Sequence, residues 1–110
     1  MDNIIAIHVP NLNDSYSRVV LERKVYWIRF TYNSISDNWS FGIYSAHREP
    51  IAVGLRIVPS FLLNLQVVNN NFPPGDFAVS TGLERIGRDD FNNGNAVFVY
   101  IPKGADSGKL

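Results

Sequence analysis

The sequence predicts an all-β fold, a small antiparallel β-barrel or sandwich of about seven strands. Three observations carry that expectation. Two alternating, aromatic segments, 25–32 (VYWIRFTY) and 38–45 (NWSFGIYS), flank the short polar turn NSISD and read as a β-hairpin. Turn-forming residues recur at roughly 8–12-residue spacing, as in sandwiches and small barrels. No long segment carries the period of an amphipathic helix.

The elements follow in order. The run IIAIHV before Pro10 reads as a first strand, because β-branched side chains suit the pleat and proline cannot donate to a ladder. Residues 11–15 (NLNDS) are turn material. A second strand spans 16–22, with Val19 and Leu21 alternating against Arg18 and Val20. Arg23-Lys24 is expected to make the tight reversal into the third strand. There Tyr26, Ile28, Phe30 and Tyr32 share one face, and Val25, Trp27, Arg29 and Thr31 the other. Both faces carry large groups, which predicts a central strand covered on both sides. The fourth strand sets Trp39, Phe41 and Ile43 against Ser40, Gly42 and Tyr44. Gly42, opposite bulky rings, marks a bend or a place where another side chain lies over the backbone.

After the turn AHREP, a fifth strand puts Ile51, Val53, Leu55 and Ile57 on one greasy face and stops at Pro59. Residues 61–66 (FLLNLQ) fit one helical turn and a short strand equally well. The stretch NNNFPPG at 69–75 is loop by composition, and 77–80 a brief strand. Residues 83–95, rich in Gly, Asn and Asp, form an irregular connection. AVFVYI at 96–101 is the last strand, stopped by Pro102. One domain over 1–102 and a flexible, fraying C-terminal tail over 103–110 are expected.

Composition excludes several functions. A chain of 110 residues can bury one core but not a core plus a deep enclosed active site. Ten Lys and Arg balance ten Asp and Glu, and the sequence pI is near 6.7. Arg23-Lys24 is the only adjacent basic pair. Nucleic acid and anionic membrane are therefore not expected as primary ligands. The absence of cysteine rules out disulfides and thiolate metal sites. The N-terminal MDNIIAIHVP lacks the basic and long apolar regions of a secretory signal, and no apolar run approaches the ~20 residues of a membrane span. Charged residues make up 18%, below the usual ~25%. Either partners cover part of the surface, or asparagine and serine supply the polarity.

Catalytic machinery is not visible. His8 and His47 sit in separate segments with no metal-ligand spacing. Gly-rich phosphate loops and the GxSxG elbow are missing. Asp89-Asp90, within GRDDF, is the best acidic pair. Capping of turn amides, with Arg88 neutralising a neighbour, is preferred there over cation binding or acid–base chemistry. No catalytic residue, metal ligand or cofactor is expected. Arg29, inside an apolar strand, is expected to stack on Trp39 or a tyrosine, with an inter-subunit anchor as the second reading. Two other functions keep a place. A carbohydrate-binding module would stack sugars on Trp27 or Trp39, and a small hydrolase or isomerase would use His8, His47 or Asp89-Asp90.

Taken in order, several motifs carry a family resemblance. They are the hairpin strands WIRFTYN (27–33) and NWSFGIY (38–44), the segment PIAVGLRIVP (50–59), the corner PPGDF (73–77), and GRDDF (87–91) ahead of VFVYIP (97–102). The series resembles the small baseplate plug proteins of contractile-tailed bacteriophages and cyanophages over residues 17–102. Trp39, Pro59, Arg88, Asp89, Asp90, Tyr100 and Pro102 match that family's pattern, while the asparagines at 69–71 and 92–95 depart from it. The resemblance implies a structural virion protein, made in the host cytoplasm, that plugs or joins the tube, hub and spike region of the tail baseplate. It implies no enzymatic activity. Such a protein would contact other baseplate proteins in several copies around the tail axis. Candidate contact residues are Phe61, Leu62 and Leu63, the corner Phe72, Pro73 and Pro74, and the connection Arg88, Asp89 and Asp90.

Overall fold

The computed structural model describes residues 4–59, 63, 67 and 69–103. Seven strands run through them: β1 (Ile5–Ile7), β2 (Asp14–Leu21), β3 (Lys24–Asn33), β4 (Asn38–Tyr44), β5 (Pro50–Ile57), β6 (Asp76–Thr81) and β7 (Ala96–Ile101). They form two antiparallel sheets, ordered β1-β7-β6 and β2-β3-β4-β5. Among the described residues there is no helix, and no ladder joins one sheet to the other. The chain is therefore a sandwich, and the expected barrel alternative does not close.

Alternation decides which side chains enter the space between the sheets. Tyr26, Ile28 and Phe30 of β3, Trp39, Phe41 and Ile43 of β4, and Ile57 of β5 come from one side. Ile7, Phe77, Val79, Phe98 and Tyr100 come from the other. Rings bridge the layers: Phe98 meets Phe30 edge-on and Phe41 in the same manner, each at 5.1 Å between centroids. Phe77 packs on Phe41 at 5.3 Å and on Phe98 at 5.7 Å. Such ring pairs add about 0.5–1.5 kcal/mol each beyond area burial.

Several local expectations change. Asp14 and Ser15, expected in the turn, open β2. In β5 the pairing with β4 is irregular and Gly54 takes φ 71°, so Ile51, Leu55 and Ile57 pack on the core while Val53 stands exposed, and the four do not share one face. The β2–β3 reversal is Glu22-Arg23 (φ 53° and 72°), because Leu21 pairs with Lys24 and a two-residue loop of this hand needs positive φ at both positions. Lys24 is already in β3. That strand is central, between β2 and β4, but it is not covered on both sides. Its Tyr26, Ile28 and Phe30 are buried, while Val25, Trp27, Arg29 and Thr31 are only half-buried. The two large groups on its outer face, Trp27 and Arg29, are packed by neighbours on the same sheet face rather than by a third layer.

The corner at 73–75 is tied to the last strand. Gly75 donates its N–H to the Tyr100 hydroxyl at 2.6 Å, and that hydroxyl donates to Glu22. A Cβ at position 75 would lie 2.2 Å from the Ile101 carbonyl oxygen and 2.7 Å from the Tyr100 ring, so only glycine fits. Tyr100 thus connects the β2–β3 turn, the proline corner and β7.

Candidate interaction surface

The sequence-derived contact residues separate into distinct environments. Phe61 and Leu62 lie outside the described residues, as does most of the 61–66 segment and the tail beyond Lys103. Leu63 is half-buried against the core and donates its N–H to the Phe77 carbonyl at 2.8 Å. Phe72 is a buried core residue packed edge-on to Phe77, and Pro73 is buried beside it. Pro74 is exposed.

Arg88, Asp89 and Asp90 belong to the turn between β6 and β7. Asp90 works inside that turn: its Oδ2 accepts from the Gly87 N–H at 2.6 Å and its Oδ1 from the Asn95 amide at 3.2 Å. Asp89 projects into solvent, with Arg88 3.7 Å away. The Arg88 guanidinium lies over Trp39 and Tyr32, 5.5 and 5.8 Å from their centroids. It also donates to Asn13 Oδ1 at 2.6 Å and Asn11 Oδ1 at 3.0 Å. Arg88 therefore stitches the β1–β2 turn to one end of the sandwich. Next to it Arg85 donates to the Asp37 carboxylate at 2.6 Å, and the Tyr32 hydroxyl also donates to Asp37. These two bonds, the tyrosine's first, hold the Asp37 carboxyl below its ordinary pKa.

Sequence reasoning did not single out the outer face of the four-stranded sheet, although alternation places Tyr16, Arg18, Trp27 and Arg29 together on it. The register aligns Tyr16, Arg29 and Gly42 in one row, and Arg18, Trp27 and Tyr44 in the next. Gly42 leaves room there: a Cβ would meet Val53 and Tyr44 side-chain atoms at 3.3 Å. Tyr16 packs edge-on to Tyr44 at 5.5 Å. Arg29 lies 5.5 Å from the Tyr16 centroid and forms a two-point pair with Asp14, both distances 2.8 Å. The stacking partner of Arg29 is thus a tyrosine; Trp39 faces the core on the opposite side. The bond from Arg29 is the main cause of the lowered pKa of Asp14. Arg48 reaches back from the β4–β5 turn and lies 4.0 Å from the Trp27 centroid and 5.0 Å from that of Tyr16. Val20 and Val53 stand exposed on the same sheet.

The outer face of the three-stranded sheet is different in kind. Ile4, Ala78, Val97, Val99 and Ile101 line a shallow aliphatic groove of about 500 Å³ with Val79, Ser80 and Thr81.

No group of three or more His, Cys, Asp or Glu that could hold a metal ion occurs among the described residues. Trp39 is only 1% exposed, and Trp27 carries Arg48 on its ring, so neither indole offers the open face that sugar stacking requires. The arrangement can instead present aromatic, aliphatic and guanidinium groups to another surface.

The chain is a small all-β sandwich with an aromatic, arginine-bearing outer face on one sheet and an aliphatic outer face on the other. A family model described as cyanophage baseplate Pam3 plug gp18 matches residues 3–103. The chain belongs to this family of baseplate plug proteins. Comparison with curated proteins gave no match.

Proposed function

We propose that the chain is a plug subunit of a contractile phage tail baseplate, seated in the virion where tube, hub and spike meet. It acts by filling space and docking onto neighbouring baseplate subunits, and it transforms no substrate. The observation that carries this reading is the family match across residues 3–103. The physical support lies in the surface. Val20, Val53, Ile4 and Val97 are exposed on the outer faces of the two sheets. Apolar groups at those places gain free energy, about 25 cal/mol per Å², when a neighbour removes them from water. Pro74 and Asp89, exposed on the corner and the β6–β7 turn, extend the proposed contacts. Several copies around the tail axis fit a closed cyclic arrangement.

The test is to locate the protein in purified virions. A tagged copy should appear by mass spectrometry in isolated tails, and difference cryo-electron microscopy should place its density at the baseplate axis. Virions free of the protein, or density elsewhere on the particle, would defeat the proposal.

A further inference from the structure

We propose that the outer face of the four-stranded sheet is a receptor for carboxylate side chains, through which this subunit docks an acidic segment of a neighbouring baseplate protein. The proposal rests on the plug reading above and deepens it by assigning a surface and the chemistry of its partner.

The charge on this face is unbalanced. Arg18, Arg29 and Arg56 project from β2, β3 and β5 on the outer side, and Arg48 folds over the same face from the β4–β5 turn. Asp14 is the one carboxylate on its strands, and it is committed to Arg29. Glu49, in the adjoining turn, makes no ion pair with any of these arginines. Among the described residues Arg18, Arg48 and Arg56 therefore have no carboxylate partner. The chain as a whole has zero net charge, so this is a local excess rather than a general basicity.

Arg48 is the centre of the proposal. A guanidinium has two faces, which stack on rings, and a planar edge bearing five N–H donors. The Trp27 and Tyr16 rings occupy the stacking role, and no acceptor among the described residues takes the edge donors. The backbone that carries Arg48 is pinned. Ser45 Oγ accepts from the His47 and Glu49 N–H groups at 3.2 and 3.1 Å, and the Ser45 carbonyl accepts from the Arg48 N–H at 2.8 Å. An edge held in place before binding loses little entropy when a carboxylate docks on it with two parallel bonds. Trp, Tyr and Arg are also the residues on which interface energy concentrates.

A nucleic acid is the competing ligand for such a face. It is disfavoured because single strands need open rings for base stacking, and Arg48 already covers Trp27. Asp14 would moreover stand against a phosphate backbone.

The experiment uses tails purified from phage lacking the plug gene and measures binding of the full chain to them. Variants are Arg48→Glu, Arg48→Lys, Arg18→Glu and, as a control away from this face, Ile35→Ser. Circular dichroism establishes that each is folded. The wild type and Ile35→Ser should bind alike, and their affinity should fall with added salt. Arg48→Glu should weaken binding at least tenfold, Arg48→Lys severalfold, and Arg18→Glu by an intermediate amount. Arg18 stands outside the ring stack, so its variant carries the test if Arg48→Glu does not fold. Wild-type binding that neither glutamate variant weakens overturns this inference and leaves the plug reading intact. Wild-type protein that does not bind the tails at all overturns both. Binding of oligothymidylate that competes with tails and is lost in Arg48→Glu overturns the protein partner in favour of nucleic acid.

Discussion

The Tyr100 hydroxyl donates to Glu22 and accepts from Gly75, so one buried phenol holds together a strand, a hairpin turn and a proline corner. Tyr100 has no exposed surface. Replacing it with Phe keeps the ring packing on Phe77 but removes the hydrogen bonds to Gly75 and Glu22. The expected loss is about 1–3 kcal/mol in urea unfolding, the cost of deleting two hydrogen bonds, one of them to a carboxylate.

The glycine on the other side of that bond has no freedom to change. A Cβ placed 2.2 Å from the Ile101 carbonyl must displace backbone, not a flexible tip. Gly75→Ala should lower the unfolding midpoint more than Tyr100→Phe does, and should move the Tyr100 and Ile101 amide resonances.

Burial, followed by the bond to Glu22, pushes the Tyr100 phenol well above its ordinary pKa. Burial raises Tyr26 as well, and the bond to Asp37 raises Tyr32. A folded-state pKa above the unfolded value stabilises the protein below about pH 10 and ceases to do so as pH rises through the folded value. Alkaline titration followed by phenolate absorbance should therefore show Tyr26, Tyr32 and Tyr100 ionising late and with loss of structure. On the acid side the signs reverse. Asp14 and Asp37 are held below 3.8, so their stabilisation is present above that pH and fades as pH falls through the lowered values. Asp14→Asn and Asp37→Asn should each flatten the acid limb of the stability curve.

Two arginines three residues apart should differ sharply. Arg88 is stacked on two rings and bonded to Asn11 and Asn13, whereas the Arg85–Asp37 pair is solvent-exposed on both sides, 61% and 43%. Arg88→Ala should cost about 1–2 kcal/mol through lost hydrogen bonds and packing. Arg85→Ala should have a far smaller effect, because water screens an exposed pair.

Ser15 faces Phe30 across the β2–β3 ladder, and its buried hydroxyl has no hydrogen-bond partner among the described residues. Ser15→Ala should be neutral or stabilising by up to about 1 kcal/mol, read as a rise in melting temperature.

Strand positions were legible because alternation is a strong signal when one face is buried: Tyr26, Ile28 and Phe30 could not be misassigned. The Glu22-Arg23 turn was not, because positive φ usually announces itself through Gly or Asn, and neither residue is present. Composition also cannot tell an apolar loop that caps its own core from one that docks elsewhere. Phe72 and Pro73 prove to be interior, while Pro74 beside them is exposed. The face built on Trp27 and Arg48 was hidden for a further reason. Its key cation enters from a turn some twenty residues away, a juxtaposition that only the register of β3 on β4 creates.

Genetic complementation tests the central claim most directly. Phage deleted for this gene should yield tails with an unfilled baseplate axis and few infectious particles. Adding the purified chain to those tails should restore both the axial density and the titre. Deleted particles that infect normally, or a titre restored without the chain entering the baseplate, would contradict the account.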